Sequence, residues 1–455
     1  MKKVGMISLG CAKNRVDSEN MLGMLKQRGY EIVADPAEAD VLFVNTCGFI
    51  ESAKEESIDA IFEMAQYKKQ GNKKLFVTGC LAQRYPEALL SEIPEIDGIL
   101  GVAEYSRLFD MMEAAERGDK PCYTANGARF LHTPRVLTTP GYSAYVKISD
   151  GCDNRCTYCA IPLIRGGYSS RPFEDIVQEC RALAADGVTE LTLIAQDTSR
   201  YGCDLGDGHY LLPELLEAVS EIEGVHWVRV LYCYPDSTED RLLDAIQRLP
   251  KVAPYLDLPL QHIDDDLLKA MNRRGSADWI KSRIAECRKR GILLRTTMIV
   301  GFPGETDEQF QTLLDFVKEA RFERLGAFTY SAEEGTAAAR MPNQIDEAVK
   351  QQRMDQLMML QQAVSMEVNE ARIGTECEVL VDGFDEETGR FYGRSLLEAP
   401  ESDGCIWLNV SPGLNVSPGL NVSPGLNGDD LTPGEYVQVK ITGADAYDLE
   451  GVVLV

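Results

Sequence analysis

Six short apolar runs, separated by stretches long enough for helices, occupy residues 145–330. They are YVKIS at 145–149, ELTLIAQ at 190–196, WVRVLY at 227–232, YLDLPL at 255–260, LRTTMIV at 294–300 and LGAFTY at 325–330. Between them, residues 174–186, 237–248, 276–290 and 306–320 carry apolar positions at helical spacing, with Ser237 and Thr306 as polar caps. Parallel strands need crossovers of this length, because a helix must carry the chain back to the starting edge. The expectation is a partial (β/α)6 barrel whose chemistry sits at the carboxyl ends of its strands.

Directly after the first run stand Cys152, Cys156 and Cys159, in the pattern Cys-x-x-x-Cys-x-x-Cys. Three thiolates this close can hold three irons of a 4Fe-4S cluster and leave the fourth iron open to chelate a substrate. A zinc knuckle is the competing reading, but structural zinc takes four ligands and no fourth Cys or His stands nearby.

Residues 1–125 show a second strand–helix alternation. Strands are expected at 3–9, 41–45 and 74–78, with Asp17 capping a helix that carries Met21, Leu22 and Leu25 and stops near Gly29. Each strand runs into a cysteine: Cys11, Cys47 and Cys80, spaced 36 and 33 residues apart. In an open parallel sheet the carboxyl ends share one edge, where ligands collect, so the three can meet in space. Taken singly, each also reads as a small buried residue at a strand end.

The chain is therefore expected to be α/β in three parts. Residues 1–125 form an open α/β sheet, 138–370 the partial barrel (ending in a helix over 344–370), and 371–455 a small antiparallel β-barrel. Within the last part NVSPGL repeats three times from Asn409 to Leu426, with Pro and Gly in every repeat, and reads as a surface loop.

Thirteen cysteines in 455 residues are too sparse and too uneven for a disulfide scaffold. The run Val4 to Gly10 is too short for an export signal, and no stretch of 18 apolar residues offers a membrane span. Both fit a reducing cytoplasm. Cys122, Cys180, Cys203, Cys233, Cys287, Cys377 and Cys405 lack ligand spacing and read as packing residues.

The segment SDGCDNRCTYCAIPLIRGGYSSRP resembles the cluster motif of radical S-adenosylmethionine methylthiotransferases. GCAKNRVDSE, NTCGFIESA and VTGCLAQRY resemble the N-terminal domain of the same family, and the β-rich end resembles its TRAM domain. The resemblance implies two 4Fe-4S clusters, one on Cys152, Cys156 and Cys159 and an auxiliary one on Cys11, Cys47 and Cys80. It also implies S-adenosyl-L-methionine as cofactor, bound near Tyr158, Gln196, Gly301 and Gly304, and an external electron donor. QHIDDDLLKAMNRRG around His262 matches the family as well, without a role that its residues explain.

Two branches of that family differ in substrate. One modifies an adenosine of tRNA. The other modifies the β-carbon of an aspartate in small-subunit ribosomal protein S-twelve. ISLGCAKNRVDSE resembles the ribosomal-protein branch. Charge points the same way: residues 371–455 hold 15 acids against four bases, within a chain of net charge −26. A tRNA-binding module would neutralise phosphates with Lys and Arg, whereas an acidic one suits a basic protein. tRNA is thus not the expected partner. A non-catalytic iron–sulfur protein that binds the ribosome is the reading from a different class.

Overall fold

The computed structural model of the chain describes residues 1–69, 71, 73–127, 130, 131, 134–409 and 431–454. Of the NVSPGL tract only Asn409 falls among them; the rest lies outside the described residues.

The N-terminal sheet has strands β1 (Lys3–Ser8), β2 (Glu31–Ile32), β3 (Val41–Thr46), β4 (Lys74–Gly79), β5 (Gly98–Leu100) and β6 (Cys122–Tyr123), in the order β2-β1-β3-β4-β5-β6. Every pairing is parallel. Helices α1 (Ala12–Gln27), α2 (Glu51–Lys69), α3 (Cys80–Arg84), α4 (Pro86–Glu92) and α5 (Leu108–Glu116) provide the crossovers. The strand order reverses between β1 and β3, so a crevice opens beyond their carboxyl ends. Cys11 and Cys47 follow those two strands, and Cys80 follows the next. Asp17 is not the cap of α1. The helix starts at Ala12 with Cys11 at its N-cap, and Asp17 is buried in its second turn.

The central part holds β7 (Ser143–Lys147), the short pair β8 (Ser149–Asp150) and β9 (Ser169–Ser170), β10 (Glu190–Ile194), β11 (Trp227–Val230), β12 (Tyr255–Asp257), β13 (Leu293–Val300) and β14 (Arg324–Thr329). The strands β7, β10 and β11 form one parallel sheet and β12, β13 and β14 another. A parallel bridge between Val228 and Val252 joins the two into an arc. Short α6 (Ile161–Arg165) follows the cysteine loop, and α7 (Phe173–Ala185), α8 (Leu212–Ser220), α9 (Asp240–Arg248), α10 (Asp265–Ala270), α11 (Ala277–Lys289) and α12 (Asp307–Ala320) surround the arc. One large apolar core fills the space between strands and helices. Thr306 caps α12 through a reciprocal box with Gln309. Ser237 does not cap α9; Glu239 holds that position, and the Ser237 hydroxyl bonds Asp197 instead.

Helix α13 (Glu347–Glu370) leads to the last part: β15 (Glu376–Asp385), β16 (Arg390–Arg394), β17 (Ile406–Asn409), β18 (Tyr436–Ala444) and β19 (Leu449–Val453). These close into a barrel in which all pairs are antiparallel except β17 with β19. Its loop around Leu396–Ala399 packs with Tyr145, Ile194, Leu231 and Tyr255 of the central arc and with Val16 of α1. All three parts thus meet around the arc. Among the described residues no helix is long and apolar enough to cross a membrane.

Candidate active site

Cys152, Cys156 and Cys159 line one open cavity of about 290 Å³, whose wall also includes Gly335, Thr336 and Ala337 beyond β14. Their loop is held from several directions. The Cys152 amide donates to Gly166 O at 3.1 Å, Thr157 N to Met271 O at 3.0 Å, and Ala338 N to Thr157 O at 2.8 Å. Arg155 takes a left-handed conformation, φ 51°, and the Asn272 amide donates to the carbonyls of Asn154 and Arg155 at 3.1 and 3.0 Å. The thiols are themselves contacted: Ile161 N donates to Cys159 Sγ at 3.5 Å, and the Tyr234 hydroxyl lies 3.4 Å from Cys156 Sγ. Burial pushes the Cys152 thiol up to about 11 and raises Cys159 as well. Loading iron here therefore displaces protons.

Among the described residues, no three His, Cys, Asp or Glu side chains converge tightly enough to hold a single metal ion. Three thiols, with no His and no fourth Cys in the cavity lining, fit a 4Fe-4S cluster with one open iron better than a structural zinc ion.

Cys11, Cys47 and Cys80 gather at the crevice of the N-terminal sheet. A Cβ added to Gly10 (φ +90°) would stand 3.2 Å from Cys47 Sγ, and one on Gly48 would meet Leu81 N at 2.8 Å. Those glycines bring the three strand ends into contact. Cys80 Sγ is 3.4 Å from Asn14 Oδ1 and 3.7 Å from the Arg165 guanidinium, and burial pushes its thiol up to about 12. Burial likewise raises Cys47. The protein mass around Cys11 would raise it too, but the positive charges of Lys13 and Arg165 outweigh that and lower it. A cationic rim of this kind suits an anionic cluster held by thiolates.

A buried ionic network joins the two cysteine sets. Arg165 spans Asp150 at 3.0 and 3.1 Å, Asn14 at 2.7 Å and Asp17 at 3.0 Å. Lys147 bonds Asp17 at 2.5 Å and Asp150 at 2.9 Å. Burial would raise Asp150, yet Arg165 and Lys147 hold its carboxyl well below the ordinary range. A second tie runs through Glu333, which meets Arg84 of α3 at 2.8 Å and Lys54 of α2 at 3.2 Å. It anchors the loop that lines the Cys152 cavity to the helix that starts at Cys80. Sequence reading singled out neither Arg165 nor Glu333, since nothing in their local spacing marks them.

Tyr158, Gln196, Gly301 and Gly304 do not line the cysteine cavity. Tyr158 packs against the apolar cluster to which Leu267, Met271 and Phe302 belong. Gln196 donates to Asp150 Oδ1 at 2.9 Å, and its own carbonyl oxygen is buried with no partner. Gly301 has φ +72° and lies against the Lys350 side chain; Gly304 has φ +84° and open space where a Cβ would be. The Gly301 amide donates to Glu305, whose free Oε1 stands 3.9 Å from the equally free His262 Nε2, both side chains fully buried.

Residues 3–101 match the Uncharacterized protein family UPF0004, residues 146–317 the Radical SAM superfamily, and residues 373–454 the TRAM domain. The ribosomal protein uS12 methylthiotransferase RimO of Desulforamulus reducens is 48% identical, over 99% of both chains. Its counterpart in Clostridioides difficile is 46% identical, over 100% of this chain and 99% of its own. Among solved structures, the radical S-adenosylmethionine methyltransferase TsrM from Kitasatospora setae shares the fold, with TM-score 0.55 over 72% of each chain at 15% identity.

Proposed function

From its membership of the RimO family of radical S-adenosylmethionine methylthiotransferases, we propose that this chain methylthiolates the β-carbon of an aspartate in ribosomal protein uS12. The observation that carries this reading is identity of 45–48% along essentially the whole chain to relatives named for that reaction. The superfamily works with a 4Fe-4S cluster and S-adenosylmethionine.

We assign the superfamily cluster to Cys152, Cys156 and Cys159, and a second 4Fe-4S cluster to Cys11, Cys47 and Cys80. Were both clusters and S-adenosylmethionine bound there, they would supply the one-electron cleavage of the cofactor, the removal of the Cβ hydrogen, and the sulfur and methyl group of the product, with Cys152, Cys156 and Cys159 holding one cluster and Cys11, Cys47 and Cys80 the other. An external donor provides the electrons. The chain's own residues hold the two sites in fixed relation: Arg165, Asp150, Asp17 and Lys147 on one side, Glu333 with Arg84 and Lys54 on the other.

The C-terminal barrel supports a protein substrate over tRNA. Of its four bases, Arg372 pairs with Glu398, Arg390 with Glu450, and Arg394 with Glu190 and Asp382. Only Lys440 has no ion pair among the described residues, so little positive charge is left to meet phosphates.

The test is a paired anaerobic assay. Reconstituted enzyme with reductant, sulfide and S-adenosylmethionine receives either uS12 (free and in its subunit) or unmodified tRNA, both read by mass spectrometry. A methylthio gain on one uS12 aspartate supports the reading. The same gain on a tRNA adenosine overturns the substrate. Iron without any 5′-deoxyadenosine overturns the enzyme.

A further inference from the structure

The chain carries 72 acids against 46 bases, yet one small face runs against that balance. Three segments meet there: the loop at 153–157 that carries Cys156, the turn at 269–274 that ends α10, and residues 338–341 beyond β14. Thr157 ties them together. Its amide donates to Met271 O at 3.0 Å, its hydroxyl donates to Ala270 O at 2.8 Å, and its carbonyl accepts from Ala338 N at 2.8 Å. The Asn272 amide closes the seam on the Asn154 and Arg155 carbonyls. Exposed on these segments are four bases, Arg155, Lys269, Arg274 and Arg340, against one acid, Asp153. Arg274 meets Asp236 at 3.4 Å. Arg155, Lys269 and Arg340 form no ion pair among the described residues.

The face adjoins the Cys152 set. Arg155 lines the same open cavity as the three cysteines and immediately precedes the buried Cys156. Electron tunnelling weakens steeply with distance, so a donor to a group held by these thiols has to dock close to them. Complexes that pass electrons bury little surface, and charge rather than area brings the partners together. A chain of net charge −26 repels an acidic partner as a whole, so a cluster of unpaired bases fixes where and how such a partner lands. Four bases are few for a nucleic acid, since binders of that kind make about six to ten phosphate contacts.

We propose that this face is the docking surface for a small acidic redox protein that delivers the electron. The inference rests on the assignment of a 4Fe-4S cluster to Cys152, Cys156 and Cys159, and names the kind of partner that site takes. One electron leaves the donor, which is oxidised by one, and the cluster is reduced by one; no bond forms or breaks in the transfer.

The test uses reconstituted enzyme and two acidic probe proteins, a flavodoxin and a ferredoxin. Lys269→Glu, Arg274→Glu and Arg340→Glu are compared singly and together, with Arg155 left in place because it lines the cysteine cavity. Affinity for each oxidised, labelled probe is read by fluorescence anisotropy. Formation of 5′-deoxyadenosine is read with the reduced probe limiting, and again with dithionite, a small reductant that needs no docking surface. With at least one probe, raising the salt should weaken wild-type binding and slow the probe-driven rate. At low salt the triple variant should lose about tenfold or more in both. Dithionite should drive wild type and variants alike. Should the triple variant lose iron, Lys269→Gln, Arg274→Gln and Arg340→Gln supply the same comparison. Affinities and probe-driven rates that ignore both salt and the substitutions overturn the inference. It is equally overturned if the substitutions weaken binding of a small-subunit ribosomal RNA fragment and leave both probes unaffected, which makes the face a nucleic-acid site. An absence of 5′-deoxyadenosine even with dithionite overturns the cluster reading instead.

Discussion

The Arg165 guanidinium lies 3.7 Å from the Cys80 sulfur, and through its other amine it grips Asp150, two residues before Cys152. One side chain therefore touches the thiol of one cysteine set and the foot of the loop that carries the other. A hydrogen bond to a cluster sulfur and a nearby positive charge both shift a cluster's potential. Arg165→Met should leave Asp17 and Asp150 with Lys147 as their one remaining cation. The expected cost is about 3–5 kcal/mol, read as a lower unfolding midpoint of the metal-free chain. Arg165→Lys should recover part of it. In loaded enzyme, the Met variant should make fewer methylthio products per 5′-deoxyadenosine.

The two cysteine sets are expected to separate by chemistry. Alanine at Cys152, Cys156 or Cys159 should abolish 5′-deoxyadenosine formation. Alanine at Cys11, Cys47 or Cys80 should spare cleavage but stop sulfur incorporation, with about half the iron retained. Unimpaired methylthiolation by Cys47→Ala would sink the auxiliary-cluster assignment.

Gly301 and Gly304 share a left-handed backbone but differ in their surroundings. Alanine at either costs about 1–2 kcal/mol of strain. At Gly301 it also strikes the Lys350 side chain, whereas at Gly304 it meets open space. If the cofactor approaches Gly304, Gly304→Ala should weaken S-adenosylmethionine binding at least about tenfold, well beyond its effect on stability. Equal affinity by equilibrium dialysis would make Gly304 an ordinary turn residue.

Glu398 ties the C-terminal barrel to the arc. It is buried between Arg372 and Arg324, with Ser395 N and Oγ donating at 3.1 and 2.6 Å. Burial would raise its pKa, but the two arginines bring it from 4.5 down to about 2. A depressed carboxyl stabilises the fold above its unfolded value and loses that contribution as pH falls toward its folded one. The contribution, about 3 kcal/mol at neutral pH, should fade between pH about 4.5 and 2. Glu398→Gln should therefore unfold earlier than wild type at pH 7, and the gap should shrink across that window. A gap that is constant with pH would refute the assignment.

Much of the site is legible in the sequence because it is local. Cys152, Cys156 and Cys159 lie within eight positions at the end of one strand, and strand periodicity places that strand in a barrel. Cys11, Cys47 and Cys80 are legible through repetition, since each closes an apolar run and parallel strands share an edge. Asp17 shows where such reading fails. Aspartate is a good N-cap by local chemistry, yet Lys147, 130 residues away, claims its carboxylate inside the helix.

The strand–helix alternation, the cysteine-bearing strand ends and the acidic C-terminal part can all be read along the chain. Each follows from residues that act through near neighbours along the chain. Folding alone brings Arg165 to Cys80 across 85 residues, Glu333 to Arg84 across 249, and the Lys13 ammonium onto the face of Tyr232. Buried charges are matched by whichever groups the docked domains bring together, and no periodicity along the chain records that choice.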